Sequence, residues 1–235
     1  MDRSNHRLPL RAQCVRLLRD EQLPQRVLLY VFALFLMSLG VVFNVNANLG
    51  VSPIAVLPFT ASLITGLTLG TSAFLIFSLF TLAQVLILRR EFQWIQLSQV
   101  FVSRLVGYFV DFLNMLLGDF QIPGYGGQLV MLAIGILFVA CGVALHMKAR
   151  LVTLPPAALV AAIAKKLRSQ FHKVKVVVDC SFVATASVLS LVFLGDVVGI
   201  REGTVLSAIL MGRLIPYINR VAAPALRTLG FRTIE

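Results

Sequence analysis

Two groups of polar side chains, each lying directly ahead of a proline, are the residues whose types and spacing could do chemistry. The candidate substrate-binding residues are Asn44, Asn48, Ser52 and Pro53 in the first group, and His146, Arg150, Thr153 and Pro155 in the second. Within each group, two side chains lie four residues apart and would share a helix face: Asn44 with Asn48, and His146 with Arg150. Amides donate to and accept from polar solutes, and an arginine can bind an anion through two hydrogen bonds. The structural alternatives are helix–helix contacts for the asparagines and snorkelling to lipid headgroups for Arg150.

Each proline predicts the start of a short helix. Ser52 precedes Pro53 and Thr153 lies two residues before Pro155, and Ser or Thr is a favoured N-cap ahead of a proline in the first turn. The stretches that follow, 53–66 and 155–168, have apolar parts of about 10–14 residues, whereas a span needs about 20. A helix N-terminus within the membrane would favour an anion or a carboxylate. The pattern favours two re-entrant helices, or ordinary loop-to-helix starts if the chain carries no solute.

Among the charged residues inside the long apolar segments, three are candidates for a site within the membrane. They are Arg104 and Asp111 in one segment and Arg213 in another. Such charges are costly in lipid and usually face protein or water. Arg104 and Asp111 share a helix face but lie about 10 Å apart along it, which is too far for a direct pair. We therefore expect Arg213 to be the partner of Asp111, as part of a transport site or as a structural ion pair.

The sequence carries no motif of a catalytic or metal site. It lacks a phosphate-binding loop, an H-E-x-x-H pair, a C-x-x-C pair and a nucleophile elbow. The 3 cysteines and 3 histidines are scattered without metal-ligand spacing. We expect neither an enzyme nor a bound metal or cofactor.

The composition decides which elements must position these residues. Of 235 residues, 58 % are apolar and only 13 % are charged, which excludes a water-soluble globular protein and a disordered chain. The net charge of +11 fits the basic cytoplasmic loops of a membrane protein better than a nucleic-acid partner. The sequence therefore predicts an all-α integral membrane protein. Its six long apolar segments are at about 27–48, 71–88, 97–117, 128–147, 176–195 and 204–222.

An offset of 102 residues reveals an internal repeat, because it places Gly40 on Gly142 and Pro53 on Pro155. A glycine in the last long segment of each half, Gly107 and Gly212, matches at an offset of 105. The order of long and short segments is also the same in both halves. The predicted organisation is a basic cytoplasmic N-terminal tail (1–26), a first membrane repeat (27–117), a connecting loop (118–127), a second membrane repeat (128–222) and a cytoplasmic C-terminal tail (223–235).

The distribution of Lys and Arg favours inverted repeats. If the short helices do not cross the membrane, each repeat has three spans and the second repeat is inverted, with both termini in the cytoplasm. Arg89, Arg90, Lys148 and Arg150 then lie inside, and Arg201 is the basic residue of the outer loops. If the short helices do cross, those four residues move outside, which fits the positive-inside rule less well. The expected architecture is about six transmembrane helices plus two short re-entrant helices.

At NANLGVSPIAVLP (46–58), with a second copy at KARLVTLPPAALV (148–160), the chain resembles the YczE/YitT group of bacterial membrane proteins. The resemblance extends over roughly 27–222. It implies a multi-pass protein of the bacterial cytoplasmic (inner) membrane, in a group whose members are sometimes described as transporters. It supplies no substrate and no catalytic residue. The second copy has Val152 where the first has Gly50, so the resemblance does not imply two equivalent tight turns.

The function that these patterns predict is transport of a small polar or anionic solute by alternating access of the two repeats. The repeats would rock around the Ser52–Pro53 and Thr153–Pro155 junctions. The alternative is a non-transporting membrane regulator or assembly partner that docks through the basic cytoplasmic face. The expected partners are the lipid bilayer and the solute, with a homo-oligomer left open.

Overall fold

The computed structural model describes residues 23–118 and 120–228, and within them the chain is folded into α-helices. Most of the basic N-terminal tail and the end of the C-terminal tail lie outside the described residues. Two short 3-10 turns, Arg89–Glu91 and Trp94–Leu97, separate the third helix from the fourth. The helices are α1 (Leu23–Asn46), α2 (Pro53–Thr65), α3 (Leu69–Leu88), α4 (Ser98–Leu117), α5 (Gly124–Ala149), α6 (Pro155–Lys166), α7 (Phe171–Leu194) and α8 (Glu202–Thr228).

Five segments in the described part of the chain are long and apolar enough to cross a membrane. They are α1, α3, α5, α7 and the stretch Trp94–Leu117, which contains α4. The sixth predicted segment is also helical, and α8 has 27 residues. It is more polar than the other five because Arg213, Asn219 and Arg220 lie in it. The chain is therefore a multi-pass, membrane-type helical protein.

The two short helices begin at the prolines, as predicted. α2 has 13 residues and α6 has 12, so each is about 20 Å long against a hydrocarbon core of about 30 Å. Ser52 is the N-cap of α2, as predicted, although its side chain makes no cap hydrogen bond, whereas the N-cap of α6 is Leu154 rather than Thr153. Proline has no N–H, so a first turn that contains proline leaves fewer donors for a hydroxyl to satisfy.

α1 and α5 form the most extensive helix pair, and they run antiparallel. A Cβ atom on Gly40 of α1 would lie 2.5 Å from the Gly135 carbonyl oxygen. A Cβ atom on Gly142 of α5 would lie 2.8 Å from the Ala33 carbonyl oxygen. Only glycine allows the two backbones to approach this closely, which is how small residues serve at membrane helix interfaces.

Of the other described helices, two pack on this central pair and four pack mainly on one another. α4 packs on α1 and α8 packs on α5, while α2 packs on α7 and α6 packs on α3. The Phe80 ring of α3 stacks on the Phe182 ring of α7, with centroids 4.8 Å apart and planes 7° from parallel. These two rings lie in the largest buried apolar cluster, which joins α2, α3, α6 and α7.

α2 lies along the loop that connects α7 to α8. The Val51 N–H, just before α2, donates to the Gly199 carbonyl oxygen at 3.0 Å. The Phe59 side chain, in the middle of α2, meets the same glycine, because a Cβ atom on Gly199 would lie 2.5 Å from the Phe59 ring. The first half of α2 therefore lies next to the loop between α7 and α8 along its length.

Candidate functional site

The predicted site residues lie in two groups at opposite ends of the α1–α5 pair. One group surrounds the end of α1, and the other surrounds the end of α5. α1 has 24 residues and α5 has 26, and they run antiparallel, so their C-terminal ends are about 30 Å apart. One solute cannot contact both groups at once, and the structure therefore has two separate junctions.

The first junction, from α1 to α2, is held by the loop that precedes α8. The Arg201 guanidinium donates to the Asn48 carbonyl oxygen at 2.9 Å, next to the bond from Val51 to Gly199. Gly50 has a φ of +99°, and a Cβ atom there would lie 2.7 Å from the Arg201 backbone nitrogen. Glycine is required at this position both by its φ and by the close approach of the loop.

The second junction, from α5 to α6, is held by α1 and α3 instead. The Tyr30 hydroxyl donates to the Val152 carbonyl oxygen at 2.9 Å. His146 Nε2 lies 3.0 Å from the same oxygen, and the His146 ring contacts the Tyr30 ring with centroids 5.0 Å apart. The Gln84 amide donates to the Pro155 carbonyl oxygen at 3.2 Å. The two junctions therefore occupy matching places in the sequence but are stabilised by different partners.

Asn48 and Arg150 do not extend the helix faces of Asn44 and His146, so this prediction is wrong. Both residues are left-handed, with φ of +53° for Asn48 and +50° for Arg150, and both lie beyond the last residue of their helix. A left-handed residue turns the chain away from the helix axis. Both are exposed, and so is Thr153, whereas Ser52 is half-buried and Pro53 and Pro155 are buried.

Asn44 is the candidate binding group of the first junction. Its side chain is 3 % exposed, and its Oδ1 atom has no hydrogen-bond partner among the residues that the structure describes. The Oδ1 atom packs against Gly135 of α5, because it is the nearest described atom to the position of a Cβ there, so a donor could reach it only where α1 moves away from Gly135. An unpaired buried acceptor costs about 1–3 kcal/mol, which a bound donor would recover.

Asp111 caps a helix and does not pair with Arg213, which corrects the expected ion pair. Its carboxylate accepts from the Thr68 hydroxyl and from the Gly70 N–H, each at 2.7 Å. A carboxylate at the N-terminus of α3 is favoured by the free N–H groups and the helix dipole. Arg213 is exposed on α8, and no Asp111–Arg213 pair occurs among the ion pairs of residues 23–118 and 120–228.

Arg104 lies on the same helix as Asp111 but has a different partner. Its guanidinium carbon lies 5.4 Å from the centroid of the Phe74 ring, within the range of a cation–π contact. The side chain is exposed. The sequence correctly excluded a direct pair between Arg104 and Asp111, and α3 supplies a partner for each of them.

Two buried glutamines were missed by the sequence analysis. Gln84 of α3 and Gln99 of α4 are each at most 2 % exposed, and the Gln84 amide donates to the Gln99 Oε1 atom at 3.2 Å. Gln84 also reaches Pro155, so this pair ties the second junction to α3 and α4. The available signal was a glutamine inside each apolar segment, where an amide must find a partner.

The α6–α7 turn and the α3–α4 connection lie close together and carry a group of exposed charges. Lys165 at the end of α6 forms an ion pair with Glu91, with 2.7 Å between Nζ and Oε2. The hydrogen bond and the positive charge of Lys165 hold the pKa of Glu91 below its usual value. Lys175 pairs with Asp179 four residues later at 2.7 Å, a spacing that brings both side chains to the same face of α7.

Residues 24–220 match the model of a protein family that is described as a family of unknown function (DUF6198). The matched range includes nearly all of the described helices. No curated protein and no solved structure matches the chain. The resemblance to the YczE/YitT group therefore stays a prediction.

Proposed function

We propose that this chain, which belongs to the DUF6198 family of unknown function, is a carrier of a small polar or anionic solute built from two inverted repeats. The membrane character rests on the five long apolar segments. The repeat and the transport activity are the proposal. The observation that carries it is that the contacts of one half recur in the other half with the partners exchanged.

The crossing of α1 and α5 gives the clearest example. Each interface glycine contacts two residues of the other helix, and these two residues lie four positions apart. The two sets differ by an offset of 102: Gly40 with Gly135 and Val139, and Gly142 with Ala33 and Met37. A contact between unrelated helices has no reason to obey this rule, so the agreement supports a two-fold relation between the halves.

The backbone conformation repeats at the same offset. Asn48 and Arg150 end α1 and α5 with φ of +53° and +50°, and Gly66 and Arg168 follow α2 and α6 with φ of +70° and +51°. Positive φ is uncommon outside glycine, and three of these four residues are not glycine. Two matched pairs of left-handed residues therefore support a common ancestry of the two units.

Two buried clusters also match, one beside each end of the α1–α5 pair. The matching members of the first cluster are Ala47, Leu49, Met131, Leu132, Ile136, Leu210, Met211 and Leu214. Their counterparts in the second cluster are, in the same order, Ala149, Leu151, Leu29, Tyr30, Leu34, Leu105, Val106 and Phe109. The first five pairs are related by an offset of 102, and the last three by the offset of 105 that relates Gly107 to Gly212. Equivalent residues thus build equivalent surroundings at both ends.

The direction of the central pair supports inversion rather than a parallel repeat. A two-fold axis that exchanges two antiparallel helices must run perpendicular to them, and it then lies in the membrane plane if these helices span the bilayer. Equivalent residues touch each other only next to such an axis. Phe80 and Phe182 are 102 residues apart and stack on each other, as residues at the axis would.

The position of α2 supports the odd number of spans that inversion requires. Val51 and Phe59 both contact Gly199, so α2 stays near one end of the bundle instead of crossing it. Each repeat then crosses three times, and α8 is the sixth span in spite of its polar residues. Arginines in a span usually face protein or water, so Arg213 would face the solute path or a partner.

Asn44 is the residue that we propose to bind the solute. Its unpaired, buried acceptor lies on α1, and an offset of 102 places it on His146 of α5, whose ring nitrogen lies 3.0 Å from the Val152 carbonyl oxygen. The two side chains thus hold equivalent positions on either side of the axis. A solute that donates an N–H or O–H group to Asn44 would supply the hydrogen bond that the folded chain leaves unmade.

Flux into proteoliposomes tests the proposal. The purified protein is reconstituted, and uptake of a panel of small polar and anionic solutes is measured for the wild type and for Asn44→Leu. We expect flux of at least one solute class and a reduction of about tenfold in the variant, the equivalent of about 1.4 kcal/mol for one hydrogen bond. Gly126→Ala in α5 is the matched control, because no described heavy atom lies within 4 Å of its Cβ position and the residue has no part in the proposed site, and it should keep wild-type flux.

A non-transporting regulator is the second candidate, and the charges around the α6–α7 turn favour it. Exposed basic side chains gather there. They are Lys165, Lys166, Arg168 and Lys173. This candidate would replace the carrier proposal if two results were obtained together. The folded protein would transport no solute, and it would bind a cytoplasmic partner that is released when these charges are reversed.

A further inference from the structure

The contacts that recur in both halves have one clear exception. α3 packs closely on α4, but their counterparts α7 and α8 are not among the packed helix pairs of the described residues. A Cβ atom on Gly107 of α4 would lie 2.5 Å from the Gly70 carbonyl oxygen and 3.5 Å from the Phe74 Cβ atom of α3. Gly212, the counterpart of Gly107, has no described heavy atom within 4 Å of its Cβ position. One half is closed at this place and the other is open.

We infer that the two halves exchange these states: in the second state α7 closes on α8 around Gly212, while α3 opens from α4. This inference rests on the proposed inverted repeat. When two units of one fold are related by a two-fold axis, a closed–open arrangement and its open–closed counterpart are the same structure with the units swapped. Their free energies then differ only by the sequence differences between the units, so both can be populated.

Asp111 is the sequence difference that holds the described state. Its carboxylate ties Thr68 and Gly70, at the N-terminus of α3, to α4. The matching offsets place Pro216 at the position of Asp111 and His172 at the position of Gly70. The second half has no carboxylate to hold α7 on α8, so the bond network of Asp111 favours the state in which α3 and α4 are closed.

The exchange predicts which residues meet in the second state. The counterpart of Phe74 is Val176 of α7, which is 62 % exposed in the described state. When α7 closes on α8, Val176 should face Gly212 as Phe74 faces Gly107, but at a wider spacing, because a Cβ atom at Gly70 would clash with the Gly107 carbonyl oxygen and His172 carries a Cβ atom at the matching position. The Cβ–Cβ distance of 3.5 Å at the closed site leaves about 1 Å of widening within the range of about 3.5–4.5 Å that disulfides span. In the described state both positions accept a cysteine without a clash, because Val176 is exposed and no described heavy atom lies within 4 Å of the Gly212 Cβ position.

Disulfide cross-linking of Val176→Cys/Gly212→Cys tests the inference. The three native cysteines are replaced by alanine, the protein is reconstituted in proteoliposomes, and the rate of the intramolecular disulfide under a mild oxidant is followed by mass spectrometry. The control pair is Val177→Cys/Gly212→Cys, since Val177 is 65 % exposed but points about 100° away around α7. We expect the test pair to react at least about fivefold faster than the control pair.

Removing the carboxylate gives a second, independent readout. Asp111→Ala should raise the cross-linking rate of the test pair by at least about fivefold, because losing hydrogen bonds to a charged group shifts the population by that factor or more. Equal rates for the test and control pairs, with and without Asp111→Ala, would overturn the exchange. Flux of the wild type in the same vesicles separates the two proposals: flux without the cross-link refutes only the exchange, and the cross-link without flux refutes only transport.

Discussion

Replacing Gly40 or Gly142 with alanine should weaken the α1–α5 crossing. A Cβ atom on Gly40 would lie 2.5 Å from the Gly135 carbonyl oxygen, and one on Gly142 would lie 2.8 Å from the Ala33 carbonyl oxygen. These neighbours are backbone atoms, so the helices must separate by roughly 1 Å to restore ordinary contact. Overpacking of this kind costs about 1–3 kcal/mol, and the better helix propensity of alanine offsets about 1 kcal/mol. Because the neighbours are backbone atoms that cannot rotate away, we expect the upper half of the overpacking cost, about 2–3 kcal/mol, which leaves a net loss of about 1–2 kcal/mol for each variant.

Reversible unfolding in mixed micelles measures this loss as a change in the free energy of unfolding. The double variant should lose less than the sum of the two single losses, because helices that have already separated accept the second methyl group more easily. Gly126→Ala serves as the control and should be neutral or slightly stabilising, since no described heavy atom lies within 4 Å of its Cβ position. If both single variants kept wild-type stability, or if only one of them lost stability, this would refute the claim that both glycines set the distance between α1 and α5.

Three further predictions concern single polar contacts. Tyr30→Phe removes the hydrogen bond to the Val152 carbonyl oxygen and should cost about 1 kcal/mol in the same unfolding assay, whereas an unchanged value would show that this bond is not stabilising. Asp111→Ala should weaken the cap of α3 by about 1 kcal/mol, seen as faster hydrogen exchange in the first turn of α3 but not of α7. Lys165→Gln should raise the lowered pKa of Glu91 toward its ordinary value in an NMR titration, and an unmoved pKa would contradict the ion pair. Because that pKa is lowered in the fold, the pair stabilises above the ordinary carboxyl pKa, and this contribution disappears as the pH falls through the lowered value.

The helical plan was readable from the sequence because it depends on strong local signals. Apolar runs of membrane length predicted the long helices, and Pro53 and Pro155 predicted the starts of the two short ones. Proline at the first position of a helix is favoured by its fixed φ and its missing N–H, and tertiary contacts do not alter either property. The two glycines on which the predicted repeat was based, Gly40 and Gly142, both lie where α1 closely approaches α5.

The ends of the long helices could not be read in the same way. Asn44 and Asn48 have helical spacing, but Asn48 is left-handed and lies beyond the end of α1. What ends the helix there is the contact with Arg201, a residue more than 150 positions away, and no local pattern reports it. The same limit applies to Arg150, whose helix ends against partners from α1 and α3.

The partner of Asp111 was missed because two kinds of interaction compete for a carboxylate in a membrane. An ion pair with Arg213 would bring two charges together, whereas the start of α3 offers a hydroxyl and a backbone N–H that need no second charge to be moved. The close approach of Gly70 to α4 decides the outcome. Two glycines, Gly70 and Gly107, marked this approach in the sequence, and they signal a helix contact rather than a solute site.

Cysteine accessibility at Leu67 and Ser169 tests the inverted repeat most directly. These positions are related by the offset of 102, and both are exposed, in the turns after α2 and α6. In a chain whose native cysteines are replaced by alanine, a membrane-impermeant maleimide is added to intact cells and to inside-out vesicles. The inverted arrangement predicts that Leu67→Cys is labelled only from outside and Ser169→Cys only from the cytoplasm. Labelling of both cysteines from the same side would contradict it.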